Sequence, residues 1–172
     1  MKGTLYLVAT PIGNLEDITL RALRILKEVD IILAEDTRQT LKLLSHYDIQ
    51  KPLIAYHRHN EVDKINQVVG ILDEGKDIAL VSDAGMPIIS DPGQALMQYL
   101  CLNEYNIEVV PGPTALITAL VKSSMDATKF VFEGFLSVNK KQRREKLELL
   151  KSEERTIILY EAPHHLLKTV KE

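Results

Sequence analysis

The chain has 172 residues, 45% of them apolar and 26% charged, with a net charge of −3. That supplies enough apolar material for a packed core, and leaves any nucleic-acid binding to local basic patches rather than the whole molecule's field. A single cysteine, Cys101, excludes an intrachain disulfide and a Cys-based zinc site, and no apolar run nears the roughly 20 residues that cross a bilayer. The start, Met1-Lys2-Gly3-Thr4-Leu5-Tyr6, reads as the approach to a strand rather than as a signal peptide. A reduced, cytoplasmic setting and no membrane partner are expected.

Short two-sided apolar runs at Thr4–Ala9, Ile31–Ala34, Leu53–Tyr56, Ile78–Val81 and Ile107–Val110 predict parallel strands covered on both faces. Helical patterns fill the gaps. Leu20, Leu23 and Leu26 share a face, with Asp17 or Thr19 as cap; Leu41 and Leu44 follow Thr37, another cap. Val62, Ile65, Val69 and Leu72 keep helical spacing up to Gly75. The next helix is expected from Pro92 to Leu102, with Asp91 as its cap and Pro92 at its first position. The alternation predicts an open α/β sheet over residues 1–110.

Pro111-Gly112-Pro113 then reads as a stiff hinge, 111–113, before a second α/β domain over 114–172. There Thr114 caps an apolar helix, Phe130–Phe135 and Arg155–Glu161 read as strands, and Lys140–Lys151 as a charged helix. Pro163 opens a last helix. Two strand signals are too little sheet to bury the faces of such a domain. The second domain is therefore expected to be incomplete, with the native chain continuing.

The stretch that organises the chain is Leu80 to Gly93, LVSDAGMPIISDPG, with two Ser-Asp-x-Gly tetrapeptides eight residues apart. Its glycines, prolines and small residues make a stiff loop, nearly free of side chains, at a strand's carboxyl end. Such a loop brings backbone groups close to a ligand. The turn Ala9-Thr10-Pro11-Ile12-Gly13-Asn14-Leu15 is neither a P-loop nor a GxGxxG, and alone it is an ordinary βα connection. Beside the longer loop it becomes a second wall of one crevice.

Other polar clusters stand at strand ends. In Ala34-Glu35-Asp36-Thr37-Arg38, Asp36 or Thr37 caps a helix and Arg38 pairs with an acid, or Glu35 and Arg38 face a substrate. In Tyr56-His57-Arg58-His59-Asn60-Glu61 the two histidines point apart, so no metal site is expected. Arg58 suits phosphate there, unless the segment is a plain solvated loop. Asn139–Lys146 carries five positive charges in eight residues, namely Lys140, Lys141, Arg143, Arg144 and Lys146. That run is either a solvated helix face or a contact for an RNA backbone. Nothing resembles a Ser-His-Asp set or a catalytic cysteine.

The ordered strings GTLYLVATPIGNLEDITLRAL, ILAEDTR, LVSDAGMPIISDPG, VVPGPTALITAL, FEGFL and LYEAPHH closely resemble the bacterial ribosomal RNA small subunit methyltransferase I family. That family belongs to the tetrapyrrole-methylase superfamily. The resemblance runs from Gly3 to His164; one departure is His165, where the family usually carries arginine. It implies two α/β domains with S-adenosyl-L-methionine folded in a cleft between them, and a homodimer. It also implies 2′-O-methylation of a cytidine in the decoding region of 16S rRNA or the small ribosomal subunit.

By motif, the resemblance puts cofactor contacts at Pro11, Ala84, Gly85, Met86, Ile89, Thr114, Ala115, Tyr160 and Glu161. Asp83 suits a hydrogen bond to the donor's ribose or amino group, or else a loop-stabilising Asx-turn. Asp36, Glu35 and His57 are unranked candidates for the base, and Arg38, Arg58, Lys140, Lys141, Arg143 and Arg144 for RNA contact. Gly85→Val is expected to abolish cofactor binding and leave the fold intact. A tetrapyrrole C-methyltransferase and a non-catalytic S-adenosylmethionine- or RNA-binding protein are the alternatives.

Overall fold

A computed structural model describes residues 1–172 and divides into two compact units, Met1–Thr114 and Ala115–Glu172. In the first unit the strands are β1 (Thr4–Val8), β2 (Ile31–Ala34), β3 (Leu53–Ala55), β4 (Ile78–Val81) and β5 (Asn106–Val110). They alternate with α1 (Leu20–Glu28), α2 (Thr37–His46), α3 (Glu61–Asp73) and α4 (Gln94–Leu102). All pairs are parallel, in the order β3-β2-β4-β1-β5.

The chain therefore steps outward from β1 to β3, then returns to insert β4 between β2 and β1. Helices of the outward leg and of the return leg cover opposite faces. Residue alternation shows this directly. Val8, Ala79 and Val81 pack with Ala22, Ile25 and Leu26 of α1 and with Leu43 and Leu44 of α2. Leu5, Leu7, Ile78 and Leu80 pack with Val68 and Leu72 of α3 and with Leu96 and Leu100 of α4. Ile78, Ala79, Leu80 and Val81 are all buried, as a central strand with two covered faces must be.

Local chemistry sets the helix starts. Thr19 caps α1 by accepting the Ala22 N–H at 3.0 Å, after a 3-10 turn at Leu15–Asp17 capped by Asn14. α2 is capped by Asp36, which accepts the Arg38 N–H at 2.9 Å, with Thr37 as the first helical residue. α4 departs from expectation: it begins at Gln94, its N-cap is Gly93 at φ 127°, and neither Asp91 nor Pro92 enters it.

The second unit holds α5 (Ala115–Ser123), β6 (Phe130–Phe135), α6 (Lys140–Leu150), β7 (Thr156–Tyr160) and α7 (Leu166–Lys171). β6 and β7 pair in parallel, with a register shift between Phe132 and Gly134. α7 starts at Leu166, three residues later than a helix opened by Pro163 would, after a turn at 163–165. No helix is long and apolar enough to cross a membrane.

Candidate functional site

Parallel strands put the loops that follow β1, β2, β3 and β4 along one edge of the first unit. β1 and β4 are neighbours whose following helices leave to opposite faces, the arrangement that opens a crevice at the carboxyl ends of a doubly wound sheet. Backbone lines it. Thr10 N–H donates to the Gly85 carbonyl at 2.9 Å, and Gly85 N–H returns to the Thr10 carbonyl at 3.0 Å. The buried Thr10 hydroxyl donates to the Ser82 carbonyl at 3.1 Å. The two strings singled out in the sequence are thus joined, with Pro11 buried and Asp83, Ala84 and Ile89 exposed.

Gly85 has φ 85°, and a Cβ there would lie 3.4 Å from Ile12 Cγ2 and 3.5 Å from the Pro113 carbonyl oxygen. Any side chain at this position strains a backbone locked to Thr10. Gly85→Val therefore adds local backbone strain at the crevice, of about 1–3 kcal/mol, to whatever it does to a ligand.

The loop from Ser82 to Gly93 is tied to three neighbours. Besides Thr10, Asp36 N–H donates to Asp83 Oδ1 at 3.0 Å, fastening the loop to the end of β2. From the β3–α3 side, the Arg58 guanidinium donates to the Ser90 carbonyl, and Glu61 Oε2 accepts the Gly93 N–H at 2.8 Å. Ile88 at φ 76° and Ser90 at φ 69° lie in the left-handed region between these ties. For non-glycine residues that conformation costs about 1–3 kcal/mol each and persists only where neighbours enforce it.

The carboxylates here differ in state. Asp36 is fully engaged: Arg38 Nε meets Oδ1 at 3.0 Å and Nη2 meets Oδ2 at 2.7 Å. Those side-chain bonds, with the Arg38 N–H, hold its carboxyl down at about 2, which makes it a weak base. Glu35 is pushed up by burial, then by the charges of Asp91 and Asp83, with Arg58 opposing. Asp91, half-buried, is pushed up to about 6 by burial, with the Ser82 hydroxyl and Arg58 opposing and Asp83 adding to the rise. No group of three or more His, Cys, Asp and Glu side chains is placed to hold a metal ion.

Next to them, Asn60 staples the β3–α3 turn, accepting the His57 N–H at 2.8 Å and donating to the Ala55 carbonyl at 3.1 Å. His57 Nδ1 and the Tyr56 hydroxyl are buried without a hydrogen-bond partner. Tyr56 is wholly buried, and its hydroxyl is pushed up by burial and by the charge of Glu61. The structure thus brings Asp91, read from the sequence as a helix cap, beside Glu35, Asp83 and Arg58, and ties Glu61 to the same loop, while Tyr56 sits in the apolar core.

In the second unit the basic run divides. Lys140, Lys141 and Arg144 are exposed, whereas Arg143 turns inward. It reaches Glu172 Oε2 at 2.5 Å, Thr169 Oγ1 at 2.6 Å and Glu161 Oε2 at 3.5 Å. Glu161 also accepts the Ala162 N–H at 2.8 Å, so both of its oxygens are engaged. Arg143 and Glu161 act here as a structural hub. They line a cavity of about 720 Å³ together with Arg144, Leu147, His165 and Lys168. Tyr160 packs edge-on against Phe132 and Phe135, at centroid distances of 4.8 and 5.5 Å.

Comparison with known proteins fits this architecture. The sequence matches the family of tetrapyrrole (corrin/porphyrin) methylases over residues 4–172. A Synechocystis protein named ribosomal RNA small subunit methyltransferase I is 56% identical over 98% of this chain and 60% of its own length. A Thermotoga maritima protein of the same name is 49% identical over 99% of this chain and 76% of its own. The chain thus spans about 60% of the length of the Synechocystis relative. Among solved structures, a diphthine synthase shares the fold with a TM-score of 0.73 at 14% identity, over 94% of this chain and 66% of that one.

Proposed function

Because the chain belongs to the tetrapyrrole (corrin/porphyrin) methylase family, and within it to the ribosomal RNA small subunit methyltransferase I group, we propose that it serves S-adenosyl-L-methionine-dependent 2′-O-methylation of a cytidine in 16S rRNA. The observation that carries the reading is the crevice where Thr10 and Gly85 exchange backbone hydrogen bonds at the ends of β1 and β4. The exposed segment Asp83–Ala84 and the half-buried Met86 offer backbone groups and little bulk for the nucleoside part of the donor. No lysine or arginine lies between Ser82 and Gly93, and the nearby Asp83, Asp91 and Glu35 carboxylates suit a ligand that carries positive charge.

When bound, S-adenosylmethionine supplies an electrophilic methyl group on a sulfonium, which departs as a neutral thioether. The protein's share is positioning and proton management, since an in-line displacement gains most from alignment. Pro11, Asp83, Ala84, Gly85, Met86 and Ile89 are the residues we assign to the donor around the crevice of the first unit. Thr114, Ala115, Tyr160 and Glu161 are the other residues of the family motifs assigned to the donor, with the Glu161 carboxylate itself engaged by Arg143, Thr169 and the Ala162 N–H. Lys140, Lys141 and Arg144 on the exposed side of α6 are the second unit's candidates for RNA phosphates, and Arg38 and Arg58 the first unit's, although Arg38 also pairs with Asp36 and Arg58 also holds the Ser90 carbonyl. Arg143 serves the Glu161 hub. The requirement for a 2′-hydroxyl makes RNA, not DNA, the substrate.

Mass spectrometry of nuclease-digested 16S rRNA from cells lacking the protein tests the proposal. Loss of one cytidine ribose methylation, restored by the full-length protein, is expected. Unchanged methylation would overturn it.

A further inference from the structure

The second half of the loop between β4 and α4 is held in an unfavourable shape. Ile88 at φ 76° and Ser90 at φ 69° are both left-handed, which L-residues stay only where neighbours enforce it. Between them stands Ile89, 43% exposed, the one large apolar side chain left in water between Val81 and Gly93. Neither feature serves the start of α4, whose N-cap is Gly93. A loop fastened for stability alone would turn its isoleucine inward, as this one does with Ile88, which packs on the core cluster of Val68, Leu72 and Leu96.

The enforcing contacts come from the β3–α3 connection. The Arg58 guanidinium donates to the Ser90 carbonyl, and Glu61 Oε2 accepts the Gly93 N–H at 2.8 Å. Gly93 in turn lies against Ile88: a Cβ there would stand 3.0 Å from Ile88 Cγ1 and 3.0 Å from Leu80 Cδ2. Ile88 is thus seated inward while Ser90 and Gly93 are gripped from outside, and the residue between Ile88 and Ser90 has to face out. The first half of the loop is fixed independently, Asp83 by the Asp36 N–H and Gly85 by Thr10.

From this geometry we propose that Arg58 and Glu61 are positioning residues for the methyl donor, holding Ser90 and Gly93 so that Ile89 stands out to be covered by the donor's apolar surface. The assignment rests on the reading of this loop as a donor wall, and neither residue touches the donor itself. Their work is done by hydrogen bonds to backbone. Glu61 needs an acceptor oxygen and Arg58 an N–H donor. The strain of two left-handed residues is of the same order as the two bonds that restrain them, so loss of either bond lowers the share of molecules in the binding shape. The apparent donor Kd rises by the same factor.

Calorimetry with full-length protein and S-adenosylmethionine, without RNA, reads this directly. Glu61→Ala and Arg58→Ala should each raise the donor Kd about 10-fold. Glu61→Gln, whose amide oxygen still accepts the Gly93 N–H, should restore most of the affinity. Ile89→Ala should also weaken binding, and its loss combined with that of Glu61→Ala should fall well short of the product of the two, because Glu61 acts through the placement of Ile89. In methyl transfer to small ribosomal subunits, Glu61→Ala should raise the donor KM and leave kcat within about twofold. Without donor, its amide exchange should quicken at Ile89, Ser90 and Gly93 and stay unchanged at Gly3 and Thr4.

An unchanged donor Kd in both alanine variants, or losses that multiply fully with Ile89→Ala, overturns the assignment. Faster exchange at Gly3 and Thr4 in Glu61→Ala overturns it as well, by making Glu61 a general support of the fold. Should Glu61→Ala fail to fold, the same cycle is read with Arg58→Ala, at the exposed end of the turn. A wild type that binds no S-adenosylmethionine overturns the donor reading of the loop instead.

Discussion

The two edges of the five-stranded sheet both carry acids and glycines, yet they use them in opposite ways. At the amino edge the acids are satisfied by backbone. Thr4 N–H donates to Asp77 Oδ1 at 2.7 Å, Asp77 N–H to Asp30 Oδ2 at 2.8 Å, and Asp30 N–H to the Asp77 carbonyl at 2.9 Å. Gly3 is there because nothing larger fits, since a Cβ would lie 1.9 Å from the Lys76 carbonyl oxygen. At the carboxyl edge, Glu35 and Asp91 are pushed above the ordinary carboxylate range, largely by burial. Ile88 and Ser90 there hold a conformation that L-residues avoid. One edge closes the sheet, and the other carries strain and unsettled charge of the kind that marks working sites.

That contrast can be broken from either side. The largest effect should come from Gly3→Val, whose branched side chain must displace the Lys76 backbone. A loss of about 3 kcal/mol is expected in urea denaturation. Asp77→Ala follows, at about 2 kcal/mol by the same measurement, because the partly buried Thr4 N–H loses its acceptor.

On the carboxyl edge the sign reverses. A folded-state value near 6 exceeds the ordinary 3.8, so the native state holds more protons between those pH values. Stability from this group is therefore lost as pH rises from about 4 to 6. Asp91→Asn should be more stable than the wild type at pH 7 by about 1 kcal/mol, after discounting for the solvent that reaches a half-exposed group, and equal to it near pH 4. Thermal denaturation at the two pH values reads this directly. The smallest effect belongs to Asp36→Asn. The Asp36 carboxyl sits at about 2, so its contribution is present above the ordinary value and lost as pH falls through 2. The variant should be slightly less stable at pH 7, and the gap should close in acid.

Much of the fold was legible in the chain. Each of the five strand signals in the first unit lies within one residue of the strand it marks. Two-sided apolar runs such as Ile78–Val81 have few other uses, and the helices between them follow from spacing and caps. What escaped was set by contacts distant in sequence. Asp91-Pro92 is a strong local signal for a helix start, but Gly93 takes the task with its N–H held by Glu61, 32 residues away. Arg143 looked like one charge in a basic run, and only Glu161 and Thr169 reveal that it points inward. The loops after β1 and β4 were suspected as walls of one crevice, but the Thr10–Gly85 pairing is a matter of register and cannot be read from either string.

The difference between the edges is tested most directly by hydrogen–deuterium exchange of the full-length protein with and without S-adenosylmethionine. The donor should slow exchange at Thr10, Gly85 and the amides of residues 82–93, and leave Gly3, Thr4 and Asp77 unchanged. Protection confined to the amino edge, or none at the carboxyl edge despite saturating donor, would contradict the account.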